Sequence, residues 1–144
     1  MKPPVRALAL AVVTYAALES AWLYGSRSFY AARFASVSAD GRLRIRSTLA
    51  VALVYPLLLL GAWILVLRPF WASKGRDVGT CACAGALFGA TVYGVYNLTN
   101  MATLPGYSWS LVAVDTLWGS VAFAAVAAVF AAVAAVLAPV APAQ

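Results

Sequence analysis

Residues 96–107 read YNLTNMATLPGY, and this short stretch ends one long apolar run and leads into the next. It carries two asparagines, Asn97 and Asn100, where the first run is about to end. The Pro105–Gly106 pair that follows is a strong turn signal, and apolar sequence resumes at Trp109. Two apolar segments joined by so short a connection predict a tight hairpin of two antiparallel helices.

Composition places this hairpin in a membrane. Of the 144 residues, 65% are hydrophobic and 10% are charged, whereas soluble domains are about 45–50% apolar and about 25% charged. A soluble core of this size has no room for such a surplus of apolar side chains. The sequence therefore predicts an integral, multi-pass membrane protein, and it does not indicate which membrane.

Four apolar runs reach the roughly 20 residues that a helix needs to cross a bilayer. They span about residues 5–25, 47–67, 79–104 and 109–137. None of them alternates polar and apolar residues as the strands of a membrane barrel do. We predict one all-α membrane domain of four transmembrane helices in an up-down bundle, with both termini on the same side and a frayed Ala/Pro-rich tail at 138–144. A signal peptide is the alternative for the first run, and Glu19 inside that run argues against it.

Basic residues lie mostly between the apolar runs and give the chain a net charge of +6. In that position they set orientation and meet anionic lipid head groups, so we do not expect nucleic-acid binding. The 10 Lys and Arg residues fall equally on the two sides of the predicted bundle. The charge pattern therefore does not orient the protein.

The connection at residues 26–46 is the longest, and we predict a basic and aromatic loop at the membrane interface. Phe29, Tyr30 and Phe34 alternate there with arginines, which is typical of an amphipathic turn or short helix. An ordinary solvated loop is the alternative. The arginines expected to meet anionic lipid head groups are Arg27, Arg33, Arg42, Arg44 and Arg46.

The chain contains no histidine and two cysteines, Cys81 and Cys83. The lack of histidine removes the usual designs for haem, zinc and imidazole acid–base chemistry. A Cys-x-Cys pair at the start of an apolar run is typical of two small buried side chains, with a redox or metal role as the alternative. We therefore predict neither a metal site nor a cofactor.

Polar side chains inside the predicted helices converge on one depth. Counted from the helix ends at 1.5 Å per residue, Glu19, Asp115 and the two asparagines all lie roughly 6–11 Å inside the same membrane face. A carboxylate that faced lipid would cost a few kcal/mol, so both acids should turn inwards, where amides and hydroxyls can donate to them. The predicted cluster comprises Glu19, Asn97, Asn100, Asp115, Tyr93, Tyr55, Trp22 and Trp118. It either holds the helices in register or binds a cation, proton or small ligand.

Glycines mark a close-packing surface on the third and fourth helices. Gly85 and Gly89 form a Gly-x-x-x-Gly pair, followed by Gly94 on the third helix and Gly119 on the fourth. Small residues let helix backbones approach closely in lipid. We predict close packing of these two helices, with a seam between copies of the chain as the alternative.

Residues 85–120, GALFGATVYGVYNLTNMATLPGYSWSLVAVDTLWGS, resemble the small membrane proteins of the family named domain of unknown function 2177. Members typically read YDLTNLATL, then a short turn, then VDxxWG. Residues 17–35, ALESAWLYGSRSFYAARFA, are similar to the first helix of the same family. The resemblance implies a four-helix integral membrane protein and brings no established activity with it. The positions that align with the polar and tryptophan positions of the family pattern are Glu19, Trp22, Asn97, Thr99, Asn100, Asp115 and Trp118.

Two of these positions depart from the family pattern. Glu19 stands where Asp is usual, and Asn97 stands where the family motif has Asp. An amide in place of a carboxylate removes an ionisable group, which weakens any mechanism that needs three acids and favours a hydrogen-bonded scaffold.

The sequence therefore supports three functional hypotheses. The first is a structural or accessory membrane protein that acts through helix–helix contacts within itself, with a second copy or with a larger membrane complex. The alternative is a small cation or proton transporter or channel that uses Glu19 and Asp115. A membrane enzyme comes last, because no nucleophile–base pair, metal motif or cofactor loop is visible.

Overall fold

The computed structural model of the protein describes residues 4–37, 45–73 and 77–137. Those ranges contain four long helices and no strand. The helices are α1 (Val5–Phe34), α2 (Thr48–Ala72), α3 (Val78–Thr103) and α4 (Trp109–Val136). Each is long and apolar enough to cross a bilayer, which confirms the prediction of an all-α membrane protein with four transmembrane helices.

The first helix is longer than predicted. The expected end was Gly25, but α1 continues to Phe34, so the prediction of a loop from residue 26 was wrong for this segment. A glycine inside a helix is tolerated where it faces open space, and a Cβ at Gly25 would meet nothing within 4 Å. Continuing the helix also brings Phe34 against Tyr107, with the ring centroids 6.1 Å apart. The rest of the predicted loop at 38–44, with Arg42 and Arg44, lies outside the described residues, as does the tail at 138–144.

The second helix changes its winding before it ends. Trp63–Leu67 form a π-helical turn, in which the backbone N–H of Arg68 donates to the carbonyl of Trp63. Pro69 follows, and its ring would clash with the carbonyl four residues earlier in a regular helix, so a wider turn relieves the contact. The helix therefore runs past its predicted end at residue 67 and stops at Ala72.

A tight turn joins α3 and α4, as the Pro-Gly pair predicts. The backbone N–H of Tyr107 donates to the carbonyl of Leu104 at 3.2 Å, and Gly106 has φ of 79°, a conformation that favours glycine. Ser36, just after α1, donates its hydroxyl to the Gly106 carbonyl at 3.0 Å. The hairpin is therefore tied to the end of α1.

Glycines allow α3 and α4 to touch along their backbones. A Cβ at Gly85 would overlap the carbonyl oxygen of Phe123, and a Cβ at Gly89 would overlap that of Gly119. Both α3 glycines are buried within the chain. The structure thus places this Gly-x-x-x-Gly pair in the contact between α3 and α4.

The remaining two glycines differ in how tightly they are packed. A Cβ at Gly119 would overlap the ring of Tyr93, whereas a Cβ at Gly94 would sit 3.6 Å from the Thr116 methyl group. The second distance is an ordinary van der Waals contact. The packing around Gly119 therefore excludes any larger side chain, whereas Gly94 has room for a methyl group.

The two cysteines do not share an environment. Cys81 is buried, but Cys83 is exposed, so the prediction of two buried side chains was wrong for Cys83. Residues two apart on a helix point to nearly opposite faces. Only one of the pair can therefore face the bundle.

Candidate functional site

Glu19 lies in the middle of α1 with 8% of its surface exposed. Its Oε1 accepts hydrogen bonds from the Tyr93 hydroxyl at 3.0 Å and the Trp118 indole N–H at 2.9 Å. The Tyr15 hydroxyl lies 3.1 Å from that of Tyr93, and because Tyr93 donates to Glu19, Tyr15 donates to Tyr93. The other carboxyl oxygen, Oε2, accepts no hydrogen bond from any residue in the described ranges.

Asp115 on α4 accepts one hydrogen bond on each oxygen. Tyr30 donates to Oδ1 at 2.5 Å, and the side-chain amide of Asn97 donates to Oδ2 at 2.7 Å. Asn97 is fully buried, and its amide also donates to the Tyr93 carbonyl at 2.8 Å. Its own carbonyl oxygen accepts from the Tyr107 hydroxyl at 2.6 Å. The carboxyl group of Asp115 is thus held by donors from α1 and α3.

Two tryptophans connect these carboxyl groups. The rings of Trp22 and Trp118 stack with centroids 4.4 Å apart and planes 3° from parallel. Trp22 also donates its indole N–H to the Tyr30 hydroxyl at 3.1 Å. Trp118 donates to Glu19, and Trp22 donates to Tyr30, so the stacked rings link the hydrogen bonds of the two carboxyl groups. Helices α1, α3 and α4 therefore meet in one polar cluster.

The structure brings six of the eight predicted cluster residues into this network: Glu19, Trp22, Tyr93, Asn97, Asp115 and Trp118. Asn100 is not in contact with either carboxyl group and interacts instead with the Tyr107 hydroxyl. Tyr55 lies beside Tyr15, with ring centroids 6.2 Å apart. It lines the cavity described below without a hydrogen bond to Glu19 or Asp115.

Three tyrosines of the network were missing from the predicted cluster. Tyr15 lies one turn before Glu19 on the same face of α1, so the helical stripe could have identified it. Tyr30 fell in the segment predicted as a loop, and Tyr107 in the turn. The Tyr107 hydroxyl donates to Asn97, and burial raises the pKa of that hydroxyl above its ordinary value.

A cavity of about 290 Å³ opens beside the cluster, between α1, α2 and α3. Glu19 and Asp115 both line it, and Glu19 Oε2 is the carboxyl oxygen left without a donor there. Its remaining wall is aliphatic and aromatic: Tyr15, Val54, Tyr55, Leu58, Val92, Tyr93 and Tyr96. The cavity is close to the size range of small-ligand sites, and its lining is mostly apolar apart from the two carboxyl groups and the tyrosine hydroxyls.

No basic side chain of the described ranges pairs with either carboxyl group. Arg33 donates its Nε–H to the Ser110 hydroxyl at 3.0 Å, and the Arg27 guanidinium lies 4.6 Å from the centre of the Tyr24 ring. Across the same ranges, no three His, Cys, Asp or Glu side chains form a group that could hold a metal ion. The carboxyl groups are thus supported by neutral donors alone.

The comparisons with known proteins agree with the architecture. The family model described as predicted membrane protein, domain of unknown function 2177, matches residues 5–133. A search of the curated proteins and a search of the solved structures each found no match. The match spans all the residues of the polar cluster and confirms the family expected from the motifs around Asn97 and Asp115. The chain belongs to the family of predicted membrane proteins named domain of unknown function 2177.

Proposed function

We propose that the protein binds a small cation or a proton at Glu19 and Asp115 inside the membrane and carries it across. The observation that supports this proposal is the cavity of about 290 Å³ that ends on both carboxyl groups. Ionisable side chains within membrane helices are costly and typically mark ion or proton pathways. A cavity that reaches two of them gives a solute a place to bind.

The balance of charge also favours a positively charged solute. The four donors to the two carboxyl groups are the neutral side chains of Tyr93, Trp118, Tyr30 and Asn97. Neutral donors stabilise a carboxylate without cancelling its charge, and an uncompensated charge in low dielectric is expensive. A cation in the cavity offsets that cost, and an anion adds to it.

The second helix is the element suited to open and close this cavity. Only 11% of the most apolar stretch of α2 is buried, against 44% for α4. Within α2, Pro56 and the π-helical turn at Trp63–Leu67 interrupt the regular hydrogen-bond ladder, and such positions are where helices bend. Movement of α2 would change access to Glu19 without breaking the network between α1, α3 and α4.

Flux measurements in proteoliposomes test the proposal. With an imposed ion gradient and membrane potential, the wild-type protein is expected to pass protons or alkali cations. Glu19→Gln and Asp115→Asn remove one charge each and should lower the flux at least about tenfold, the equivalent of one lost charged interaction. Asp77→Asn is the matched control, because Asp77 only caps α3, where it accepts from the Thr80 N–H, and Asn caps helices equally well.

Unchanged flux in folded Glu19→Gln and Asp115→Asn proteins would contradict a transport role for these carboxyl groups. Folding of each variant is checked by its helix content and its thermal melting in detergent. An Asp77→Asn protein that loses flux as well would mean that the losses do not report on the cavity.

A structural or accessory role is the second candidate, and the hydrogen-bond network favours it. Nine polar side chains are donors or acceptors in the network that ties α1, α3 and α4 together: Tyr15, Glu19, Trp22, Tyr30, Tyr93, Asn97, Tyr107, Asp115 and Trp118. Buried networks of this kind hold membrane helices in register. This role predicts that the wild-type protein passes no ion and that Asp115→Asn weakens the bundle only in part, since an amide oxygen still accepts from Tyr30 while its NH₂ group faces the amide of Asn97.

A further inference from the structure

The side chains that line the cavity indicate which chemical class of ligand fits it. Two carboxyl groups line it, and the rest of the lining consists of aliphatic and tyrosine side chains. Val54, Leu58 and Val92 contribute the aliphatic part. A solute that fills this space therefore meets acceptors at the two carboxyl groups and mostly apolar side chains elsewhere.

A divalent inorganic cation lacks enough ligands in such a lining. Ca²⁺ and Mg²⁺ take about six or more oxygen ligands in proteins, and no group of metal-binding side chains occurs in the described ranges. Both oxygens of Asp115 and one oxygen of Glu19 already accept hydrogen bonds. Glu19 Oε2 is the oxygen left to take a new donor.

An organic ammonium group fits these carboxyl groups better. It presents up to three N–H donors and needs few acceptors, so Glu19 Oε2 can accept from it while Asp115, which also lines the cavity, contributes its negative charge. Tyr55 and Tyr96 line the same space, and aromatic rings attract ammonium groups through cation–π interactions. Its apolar body would then lie against Val92 and the aliphatic wall.

The size and the rim of the cavity agree with this class of ligand. A volume of about 290 Å³ corresponds to roughly ten water molecules, each with a share of about 30 Å³, and so to a molecule of about ten heavy atoms. Tyr96 is 56% exposed and Val54 is 49% exposed, so the rim lies on the outer surface of α2 and α3. A ligand dissolved in the bilayer reaches the cavity from the side.

We propose that the cavity takes an organic amine with one protonated nitrogen and a compact apolar body, which enters laterally from the bilayer. This inference rests on the proposed function and names its substrate class. The ammonium group binds at Glu19 and Asp115, and the apolar body packs against α2. The site therefore selects its ligand by positive charge at the carboxyl groups and by the shape of the apolar body along α2.

Equilibrium binding of 2-phenylethylamine to the protein in lipid nanodiscs tests this inference. Its neutral analogue 2-phenylethanol has the same size and shape, so the pair isolates the contribution of the charge. We expect saturable amine binding that weakens at least about tenfold in Glu19→Gln, and much weaker alcohol binding that Glu19→Gln leaves unchanged.

Two tryptophan variants provide the matched test of the cavity itself. Leu58→Trp fills the cavity and should abolish amine binding. Leu57→Trp adds the same ring to a side chain that is 70% exposed on the outer surface of α2, and it should leave binding unchanged. Equal loss in both variants would overturn the assignment of the ligand to this cavity.

The outcomes separate the inference from the proposed function. Flux of protons or alkali cations without amine binding would overturn the amine assignment and leave the transport proposal standing. Equal binding of the amine and the alcohol would overturn recognition by charge. Absence of both ion flux and amine binding in folded protein would overturn both proposals.

Discussion

Replacing Gly89 by leucine is expected to separate α3 from α4. A Cβ at this position would overlap the backbone carbonyl oxygen and carbon of Gly119, and a leucine adds further bulk to that overlap. Overpacking typically costs about 1–3 kcal/mol, and more when backbone has to move. We expect Gly89→Leu to lower the free energy of unfolding by at least about 3 kcal/mol or to prevent folding altogether.

The measurement is unfolding in mixed detergent micelles, followed by loss of helical circular dichroism. Gly94→Ala is the matched control on the same helix, because a Cβ there would lie 3.6 Å from the Thr116 methyl group. Its free energy of unfolding should stay within about 1 kcal/mol of wild type, the scale of the propensity difference between glycine and alanine. A Gly89→Leu protein as stable as Gly94→Ala would show that these helices do not touch as described.

Replacing Asn97 by leucine is expected to be nearly as damaging. Asn97 is fully buried, donates to Asp115 Oδ2 and accepts from the Tyr107 hydroxyl. Leucine has the same number and branching of side-chain heavy atoms, but it leaves the carboxylate oxygen without its donor and the hydroxyl without its acceptor. Each orphaned buried group costs about 1–3 kcal/mol, and a charged group costs more, so the free energy of unfolding should fall by about 3 kcal/mol.

The same unfolding assay measures this effect, with Leu98→Ala as the neighbouring control. Leu98 is 51% exposed on the outside of α3, so its truncation should change stability much less. Asn97→Asp is informative as well, because it places a third carboxyl group within hydrogen-bond distance of Asp115. It should be tolerated only while one of the two groups holds a proton to share. A stable Asn97→Leu protein would mean that the network does not support the bundle.

The number and type of the helices could be predicted because hydropathy over a long run needs no knowledge of tertiary contacts. The starts of α3 and α4 could also be predicted, because Asp77 and Ser108 are both residue types that cap helices. Each side chain accepts a hydrogen bond from the backbone N–H three residues further on. The end of α1 could not be predicted from the sequence. Gly25 and the arginines after it resemble a loop, and the contact of Phe34 with Tyr107 that favours the helix is tertiary.

The depth argument found the polar cluster, although one of its starting points was wrong, and it did not give the membership. Counted from the predicted end of the first helix at Gly25, Glu19 lies level with Asp115, whereas α1 in fact continues to Phe34. Tyr30 continues the stripe of Tyr15, Glu19 and Trp22 along α1 at helical spacing, so a longer helix would have placed it beside Asp115. The depth argument does not fix side-chain direction, which is why Asn100 was grouped with the carboxyl groups although it contacts Tyr107.

The cavity could not have been predicted from the sequence. Its outer wall is α2, which is apolar on every side and carries no polar stripe to show which face turns inwards. Tyr55 was placed near the cluster by depth, and it lines the cavity without joining the network. The open space depends on how loosely α2 packs on α1 and α3, and that is a property of the assembled bundle.

The central claim is that a small molecule reaches the Glu19 carboxyl group through this cavity, and carbodiimide labelling tests it most directly. N,N′-Diisopropylcarbodiimide takes up a proton on nitrogen, the carboxylate oxygen adds to its central carbon, and the resulting O-acylisourea rearranges to a stable N-acylurea that peptide mass spectrometry locates. In native protein in nanodiscs we predict an adduct on Glu19, lowered at least about tenfold by Leu58→Trp and unchanged in Leu57→Trp. An unmodified Glu19 in the native protein, together with ready modification after unfolding in dodecyl sulfate, would contradict the claim and leave Glu19 as a structural acceptor alone.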